Sequence, residues 1–552
     1  MTDSPSPASG SSAPQTQSAA KAGSDFSRRS LLAALGVGGA AATIGLGAGS
    51  AAAQDRPAAA GDAPATPTAA APSHAPGVPV PPVAGLHVTF GADPGASASV
   101  TWHSVEKVTN PRVLLAKDGH AYERTVPAAV DSYTDDKSGT VVYAYHARLT
   151  RLQPDTSYVY LAVHDGAAPQ FGTFRTAPRG RQAFRFTSFG DQGTPTTGKQ
   201  VNGTWVNDNL GSPAAGDTTA GVESLEPLLH LFNGDLCYAN LATDRVRTWS
   251  DFWNNNTRSA RYRAWMPSPG NHEDELGNGP IGYAAYQTYF DLPKQPGQTD
   301  VTAGLWYAIT VGSVRFVFLA NDDVCYQDGG DNYVRGYSNG AQKAWLEKTL
   351  KAARADRDID WIVVCMHQVA ISTAKGFNGA DLGIRQEWLP LFDKYGVDLV
   401  VCGHEHHYER TKAVRGATQN QTLTPIPTVD DLDVIDTSKG TVHMIIGGGG
   451  TSSPSNQLLY SPPKCDVIVS VTPRPDATTK GVATKVTEDA VWSGVRDAAH
   501  SYGFASFDVD PGRHPGDLTS IKVTYYEVTG PYGGLTPFET FTLQRPRSDA
   551  RH

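Results

Sequence analysis

Val397-Asp398-Leu399-Val400-Val401-Cys402-Gly403-His404-Glu405-His406 decides how this chain is read. A continuous apolar run, rather than an alternating one, fits a strand covered on both faces, as in parallel sheets. The run ends in Gly403-His404-Glu405-His406. His404 and His406 are too close in sequence to share a helix face; a turn would aim one at each of two bound ions. The same texture recurs upstream. Phe184-Arg185-Phe186-Thr187-Ser188-Phe189 runs into Gly190-Asp191-Gln192-Gly193. The stretch from Glu226 to Phe232 runs into Gly234-Asp235-Leu236-Cys237-Tyr238. Ala264-Trp265-Met266-Pro267 precedes Gly270-Asn271-His272-Glu273, and Trp361-Ile362-Val363-Val364-Cys365-Met366 ends at His367. Doubly wound sheets gather ligand sites beyond the C-terminal ends of their strands. Five polar clusters at five strand ends therefore predict one site. Between them, Ala341, Ala344, Trp345, Leu346 and Leu350 predict a helix over Ser338 to Ala353, with Ser338 or Asn339 as its N-cap.

Taken singly, a Gly-Asp or a Gly-Asn-His is commonplace, and an Asp after Gly is more often a turn or a cap. Taken together, two Asp, one Asn, three His and a Tyr supply hard oxygen and borderline nitrogen donors. One carboxylate can bridge two cations while the others fill each side, and two ions about 3.5–4 Å apart clamp an in-line displacement at phosphorus. Gly beside each cluster lets the backbone turn sharply.

At these residues the chain resembles the purple acid phosphatase branch of the calcineurin-like metallophosphoesterases. The motifs are Asp191-Gln192-Gly193, Gly234-Asp235-Leu236-Cys237-Tyr238, Gly270-Asn271-His272-Glu273, Val364-Cys365-Met366-His367 and Gly403-His404-Glu405-His406. The likeness extends to Pro267, to Gln342, Trp345 and Leu346, and to His407-Tyr408-Glu409-Arg410. It implies that Asp191, Tyr238 and His406 hold a ferric ion, and that Asp235 bridges to a second metal. Asn271, His367 and His404 would complete that second site for divalent Fe, Zn or Mn. Tyr238 read alone is also an ordinary packed aromatic; as a ligand it would give the family's purple colour. His272 would face the bound ester, to stabilise phosphoryl oxygens or protonate the leaving oxygen. The implied reaction is hydrolysis of small-molecule phosphate esters by a metal-bound hydroxide. Plant members carry a His pair about ten residues past the fourth motif. Here Ser372-Thr373-Ala374-Lys375-Gly376-Phe377-Asn378 has no His, which leaves Lys375 and Asn378 as candidates for ester contact. His407 should point away from the ions, Glu273 should orient its loop, and Gly447 to Gly450 should reflect backbone crowding rather than a phosphate loop, since no Lys-Ser/Thr follows.

Residues 83–178 read as short alternating strands with turn residues between them, as in a β-sandwich. Leu152 to Tyr160 resembles the tyrosine corner of fibronectin type III domains, and no Cys pair spans the sheets. The expected architecture is an all-β fibronectin-like sandwich followed by an α/β metallophosphoesterase domain over 181–545. That domain would have two mixed β-sheets packed as a sandwich core and flanked by helices. Tyr502 to Val509 and Ser520 to Val528 would close its second sheet. Thr411 to Lys439 reads as an insertion near the site, and 451–500 as irregular.

The first 82 residues read differently. Arg28-Arg29, a weakly apolar Leu31 to Ala48 and Ala51-Ala52-Ala53-Gln54 resemble a twin-arginine signal peptide over 1–53 with a cleavage site. The run is long enough for a membrane anchor, but its Gly and Ala content makes it a poor one. Residues 54–82 form an Ala/Pro-rich linker with too little apolar surface to order itself. The implied location is secreted or cell-envelope, with no membrane span left after cleavage. The 552 residues carry 55 acidic and 46 Lys or Arg side chains, a net charge of −9. That balance excludes a protein held on nucleic acid by bulk charge, and a polybasic membrane-surface protein. Five Cys in this length do not make a disulfide scaffold; Cys365 and Cys402 read as core residues, Cys325 and Cys465 as looser. The sequence admits two other functions. One is a phosphodiesterase or nucleotide pyrophosphatase on the same bimetal site. The other is a non-catalytic cell-surface binding protein, against which the full ligand set argues. The sequence sets no oligomeric state.

Overall fold

In the computed structural model, unbroken apolar runs become strands buried along most or all of their length. Those that position the site are β1 (Ala84–Phe90), β2 (Phe184–Phe189), β3 (Leu229–Asn233), β4 (Ala264–Ser268), β5 (Trp361–Cys365), β6 (Leu399–Cys402) and β7 (Val442–Ile446). Every residue of β3 to β7 is buried. A strand covered on both faces has no reason to alternate, which is why the sequence does not. The structure describes residues 80–276, 281–326, 335–472, 481–530 and 534–550. The signal segment 1–53 and the linker up to residue 79 lie outside them. None of the helices in the described residues is long and apolar enough to cross a membrane.

The fold is a β-rich N-terminal domain followed by an α/β metallophosphoesterase domain built on two mixed sheets. In the first sheet β2, β3 and β4 run parallel. In the second, β5, β6 and β7 run parallel, with Val314–Phe318 beside β5. The inner faces meet through aromatic contacts: Phe186 of β2 lies edge-on to Phe316, ring centroids 5.0 Å apart. Parallel alignment brings the C-terminal ends of five site-bearing strands to one edge. Helices α1 (Ala214–Ser224) and α2 (Arg245–Ala260) connect the strands of the first sheet, and α3 (Ala341–Ala355) precedes β5.

The two domains share a sheet. β1 pairs antiparallel with Ala98–Ser104 inside the sandwich and parallel with β4, Val88 facing Ala264. The result is one eleven-stranded sheet running from Val434–Asp436 through the catalytic strands to Ala129–Thr134. At the seam the His87 ring stacks on Trp253 of α2, centroids 3.8 Å apart and 9° from parallel. The His87 ring nitrogens lie 2.8 Å from the Gly85 carbonyl and 2.9 Å from the Tyr289 carbonyl. The Tyr160 hydroxyl donates to the Arg261 carbonyl at 2.9 Å. Within the sandwich, the Gln153 N–H donates to the Tyr158 hydroxyl at 2.8 Å, the geometry expected of a tyrosine corner.

Five expectations need correction. Gly503–Asp510 and Leu518–Val528 extend the first sheet, not the second, with Gly503–Asp510 antiparallel to β2. The 451–500 stretch holds a hairpin, Lys464–Thr472 with Val482–Asp489. Its outer strand is half-exposed and polar, so no apolar run announces it. The stretch from Thr411 to Lys439 reaches the edge opposite the site, where Thr437 Oγ1 donates to Asp398 at 2.8 Å, just before β6 begins. Gly340, in the left-handed region at φ +81°, caps α3, a conformation that disfavours Ser338 or Asn339 there. Cys325 and Cys465 are as buried as the other three Cys, and all five are free thiols.

The seam yields a stability prediction. Trp253→Ala should cost about 3–5 kcal/mol, in line with other buried aromatic truncations. The check is urea unfolding followed by both far-ultraviolet circular dichroism and tryptophan fluorescence. A shift below 1 kcal/mol would show that the stack contributes little.

Candidate metal centre

Three of the strands, β2, β3 and β6, deliver their polar clusters through tight turns. Asp191 (φ +56°), Asp235 (+51°), Tyr238 (+56°) and His404 (+69°) all occupy the left-handed region. Such a conformation costs a non-glycine residue about 1–3 kcal/mol and persists only where its surroundings over-determine it. Four strained residues at one sheet edge mark the site without reference to any motif. Crowding enforces the same turns. A Cβ on Gly403 would lie 2.3 Å from Asp191 Oδ2, and one on Gly447 would lie 2.2 Å from the Glu405 carbonyl. The glycines after β7 therefore reflect backbone crowding, as read from sequence.

The predicted residues converge into two adjoining groups of donors. In one, the Tyr238 hydroxyl lies 3.2 Å from both Asp191 Oδ1 and His406 Nε2. His406 Nε2 is 3.3 Å from Asp191 Oδ1. In the other, His367 Nε2 lies 3.1 Å from Asp235 Oδ2 and 3.1 Å from Asn271 Oδ1. His404 Nδ1 is 3.2 Å from His367 Nε2. Asp235, His367 and His404 each place a ligand-type atom within a 4.8 Å group.

Neighbouring groups fix which nitrogen faces inward. His367 Nδ1 donates to the Asn233 carbonyl at 2.7 Å, and His406 Nδ1 to the Ser453 carbonyl at 2.6 Å. A carbonyl only accepts, so each Nδ1 carries a proton and each Nε2 faces the centre. Burial lowers the His367 pKa, but the Asp235 charge outweighs it and raises it to about 10, so an ion bound there would take the place of the Nε2 proton. Asn321 Oδ1 accepts the His367 backbone N–H at 2.8 Å, and Asn378 Nδ2 donates to the His404 carbonyl at 2.6 Å. Asn378 thus supports a donor loop, and Lys375 places its ammonium 5.8 Å from the centroid of the Tyr460 ring. Glu273 orients its loop as expected. Its carboxylate accepts the N–H groups of Asp235 (2.9 Å), Leu236 (2.8 Å) and Gly270 (2.7 Å). His407 turns away, to Ser455 Oγ at 2.9 Å and Glu409 Oε2 at 3.2 Å.

The electrostatics fit cations. Burial, then the charges of Asp191 and Asp235, pushes the Tyr238 phenol well above its ordinary pKa. A phenolate there needs a positive ion beside it. Burial, reinforced by His367, keeps His404 well below the usual imidazole value, so its ring is a neutral donor. Burial works against the Asp235 charge, yet the facing His367 and His272 outweigh it and hold the carboxyl below the carboxylate range. Asp235 acts on Tyr238 and His406 of one group and on His367 of the other. Hard oxygens and imidazole nitrogens packed about 3 Å apart suit two metal ions.

His272 stands at the rim. Its ring lies 4.7 Å from that of Tyr238, its Nδ1 is 2.9 Å from Asn240 Oδ1, and its Nε2 is 3.9 Å from Asp235 Oδ2. Asn240 went unnoticed in the sequence, although it follows Tyr238 by two residues in the Ala239–Leu241 turn. Asn321 was also missed; nothing in its local sequence announces that it will meet His367.

A two-sheet α/β domain with these donors at one sheet edge defines a metal-dependent phosphoesterase. Family models agree. Residues 83–176 match the purple acid phosphatase N-terminal domain, and residues 215–408 match the calcineurin-like phosphoesterase domain. An uncharacterized protein of Mycobacterium tuberculosis is 59% identical over 467 residues, covering 85% of this chain and 88% of that protein. The purple acid phosphatase of Glycine max is 26% identical over 437 residues, covering 78% of this chain and 80% of that one. The Fe(3+)-Zn(2+) purple acid phosphatase 12 of Arabidopsis thaliana is 25% identical over 379 residues, covering 66% and 71%. The solved structure of purple acid phosphatase PPD1 from yellow lupin shares the fold, with TM-score 0.61 at 20% identity over 85% of this chain and 75% of that one. The chain belongs to the purple acid phosphatase family and is a metal-dependent phosphoesterase with a binuclear centre.

Asn240 acts through His272. Asn240→Ala should lower kcat about 10- to 100-fold, with metal content and KM nearly unchanged; Asn240→Asp should restore part of the rate. Loss of metal in parallel with rate would show instead that Asn240 supports the donor loops.

Proposed function

We propose that this protein is an exported phosphomonoesterase that releases inorganic phosphate from small-molecule esters. The observation that carries this reading is the pair of adjoining donor groups, joined through Asp235, with His272 at their rim. Asp191, Tyr238 and His406 would hold a ferric ion, and Asn271, His367 and His404 a divalent one, with Asp235 shared. Bound there, the two ions would lower the pKa of coordinated water and neutralise charge on the phosphoryl group. The chain's own residues do the rest. Glu273 fixes the turn that presents Asp235. Asn233 and Ser453 hold the imidazoles of His367 and His406 in one tautomer. His272, oriented by Asn240, stabilises the phosphoryl oxygens or gives a proton to the departing alkoxide. Water adds to phosphorus as the ester P–O bond breaks, giving an alcohol and orthophosphate, and no covalent phosphoenzyme is needed. Export rests on Arg28-Arg29 and the Ala51-Ala52-Ala53 cleavage pattern.

Three measurements test this reading. On the mature protein with its metal content determined, a panel of monoesters and diesters should show turnover at least tenfold faster for monoesters; a diester preference would overturn the monoesterase assignment. Asp235→Asn should lose turnover and bound metal together, and a full metal complement at a normal rate would refute the shared-ligand role. Tyr238→Phe should abolish visible absorption, and an unchanged spectrum would remove Tyr238 from the ligand set.

A further inference from the structure

At the edge of the second sheet opposite the metal donors, a cavity of about 280 Å³ is lined by Arg354, Arg415, Arg545, Lys394, Asp393 and Ser438, among others. At about 30 Å³ per water, that volume holds several solvent molecules or a small anion. Its walls are cationic, and most of the countercharge is already engaged. Asp398 receives Arg354 Nη2 at 2.8 Å, the Ile362 N–H at 2.9 Å, Thr437 Oγ1 at 2.8 Å and Arg545 Nη1. Asp393 accepts the Gly416 N–H at 2.8 Å, and Lys394 reaches away to Glu347 at 2.8 Å. Arg415 Nη1 donates to the Ser438 carbonyl at 3.0 Å.

Two donors are left over. The Nε atoms of Arg415 and Arg545 are buried and have no hydrogen-bond partner among the described residues. Arg545 itself is only 7% exposed. A buried guanidinium N–H without an acceptor is costly, and guanidinium forks match the oxygens of phosphate-type anions. We propose that this cavity is a second, non-catalytic site for a phosphate-class oxyanion, held by Arg415 and Arg545 with Arg354 adding charge. It is separate from the metal donors. Asp398 precedes β6 while His404 follows it, and at about 3.3 Å per residue the two ends lie roughly 15–20 Å apart. The proposal stands whichever ester the metal centre hydrolyses.

The test is calorimetric titration of the metal-loaded protein with inorganic phosphate, comparing wild type with Arg415→Gln. Wild type should show two binding events, one at the metal centre and one here. Arg415→Gln should weaken the second at least tenfold while the constant for phosphate inhibition of turnover stays the same. Arg415→Lys, which keeps the charge but loses the fork, should fall between. Arg415 is half-buried on a hairpin, and an unchanged thermal midpoint would confirm folding. A single binding event in wild type, or the same two events in both proteins, overturns the assignment.

Discussion

The structure depends on holding Asp235 charged and buried beside seven other polar groups of the site. Donor atoms about 3 Å apart repel or desolvate one another, so nothing local would gather them. What gathers them is the rigidity of five strand ends in two packed sheets. The strands are buried over most or all of their length, and three of them, β2, β3 and β6, end in turns tight enough to push Asp191, Asp235 and Tyr238, and His404 into the left-handed region. Strain at those turns is offset by burial of the strands behind them. Glu273 adds a local brace, since one carboxylate collects three backbone N–H groups from two different turns. The centre is thus preorganised by main-chain geometry before any ion arrives.

Support extends outward in shells. Carbonyls of Asn233 and Ser453 set imidazole tautomers. Asn321, Asn378 and Asn240 then fix the backbones or rings that carry the inner donors. Neutral amides suit this role, because they add hydrogen bonds without adding charge to a site already crowded with it.

Much of the centre was legible in the sequence because its chemistry lies in short contiguous motifs at strand ends. Asp191, Asp235, Tyr238, Asn271, His272, His367, His404 and His406 could each be named from a few neighbours. Partners brought in from afar could not. Asn321 meets His367 from 46 residues away, and no local pattern encodes that. The terminal strands were visible as strands, but the pairing of Gly503–Asp510 with β2, and of Leu518–Val528 with Gly503–Asp510, is a property of the whole sheet. The Val482–Asp489 strand alternates half-exposed and exposed residues, so it lacked the apolar signature of the core. Gly340 takes the cap position because the chain turns left-handed there, where glycine carries no Cβ penalty, while Ser338 Oγ accepts the Gln342 N–H at 3.3 Å from just outside the helix.

The shared eleven-stranded sheet also changes what the N-terminal sandwich is. β4 would otherwise end the catalytic sheet with a row of unpaired backbone groups, the kind of open margin at which β-proteins aggregate. β1 covers part of that margin and passes the sheet on to Ala98–Ser104, Val141–Leu149 and finally Ala129–Thr134, which is mostly exposed and polar. The sandwich serves the catalytic domain as a cap, moving the sheet's vulnerable border from its apolar interior to a short strand that water can solvate.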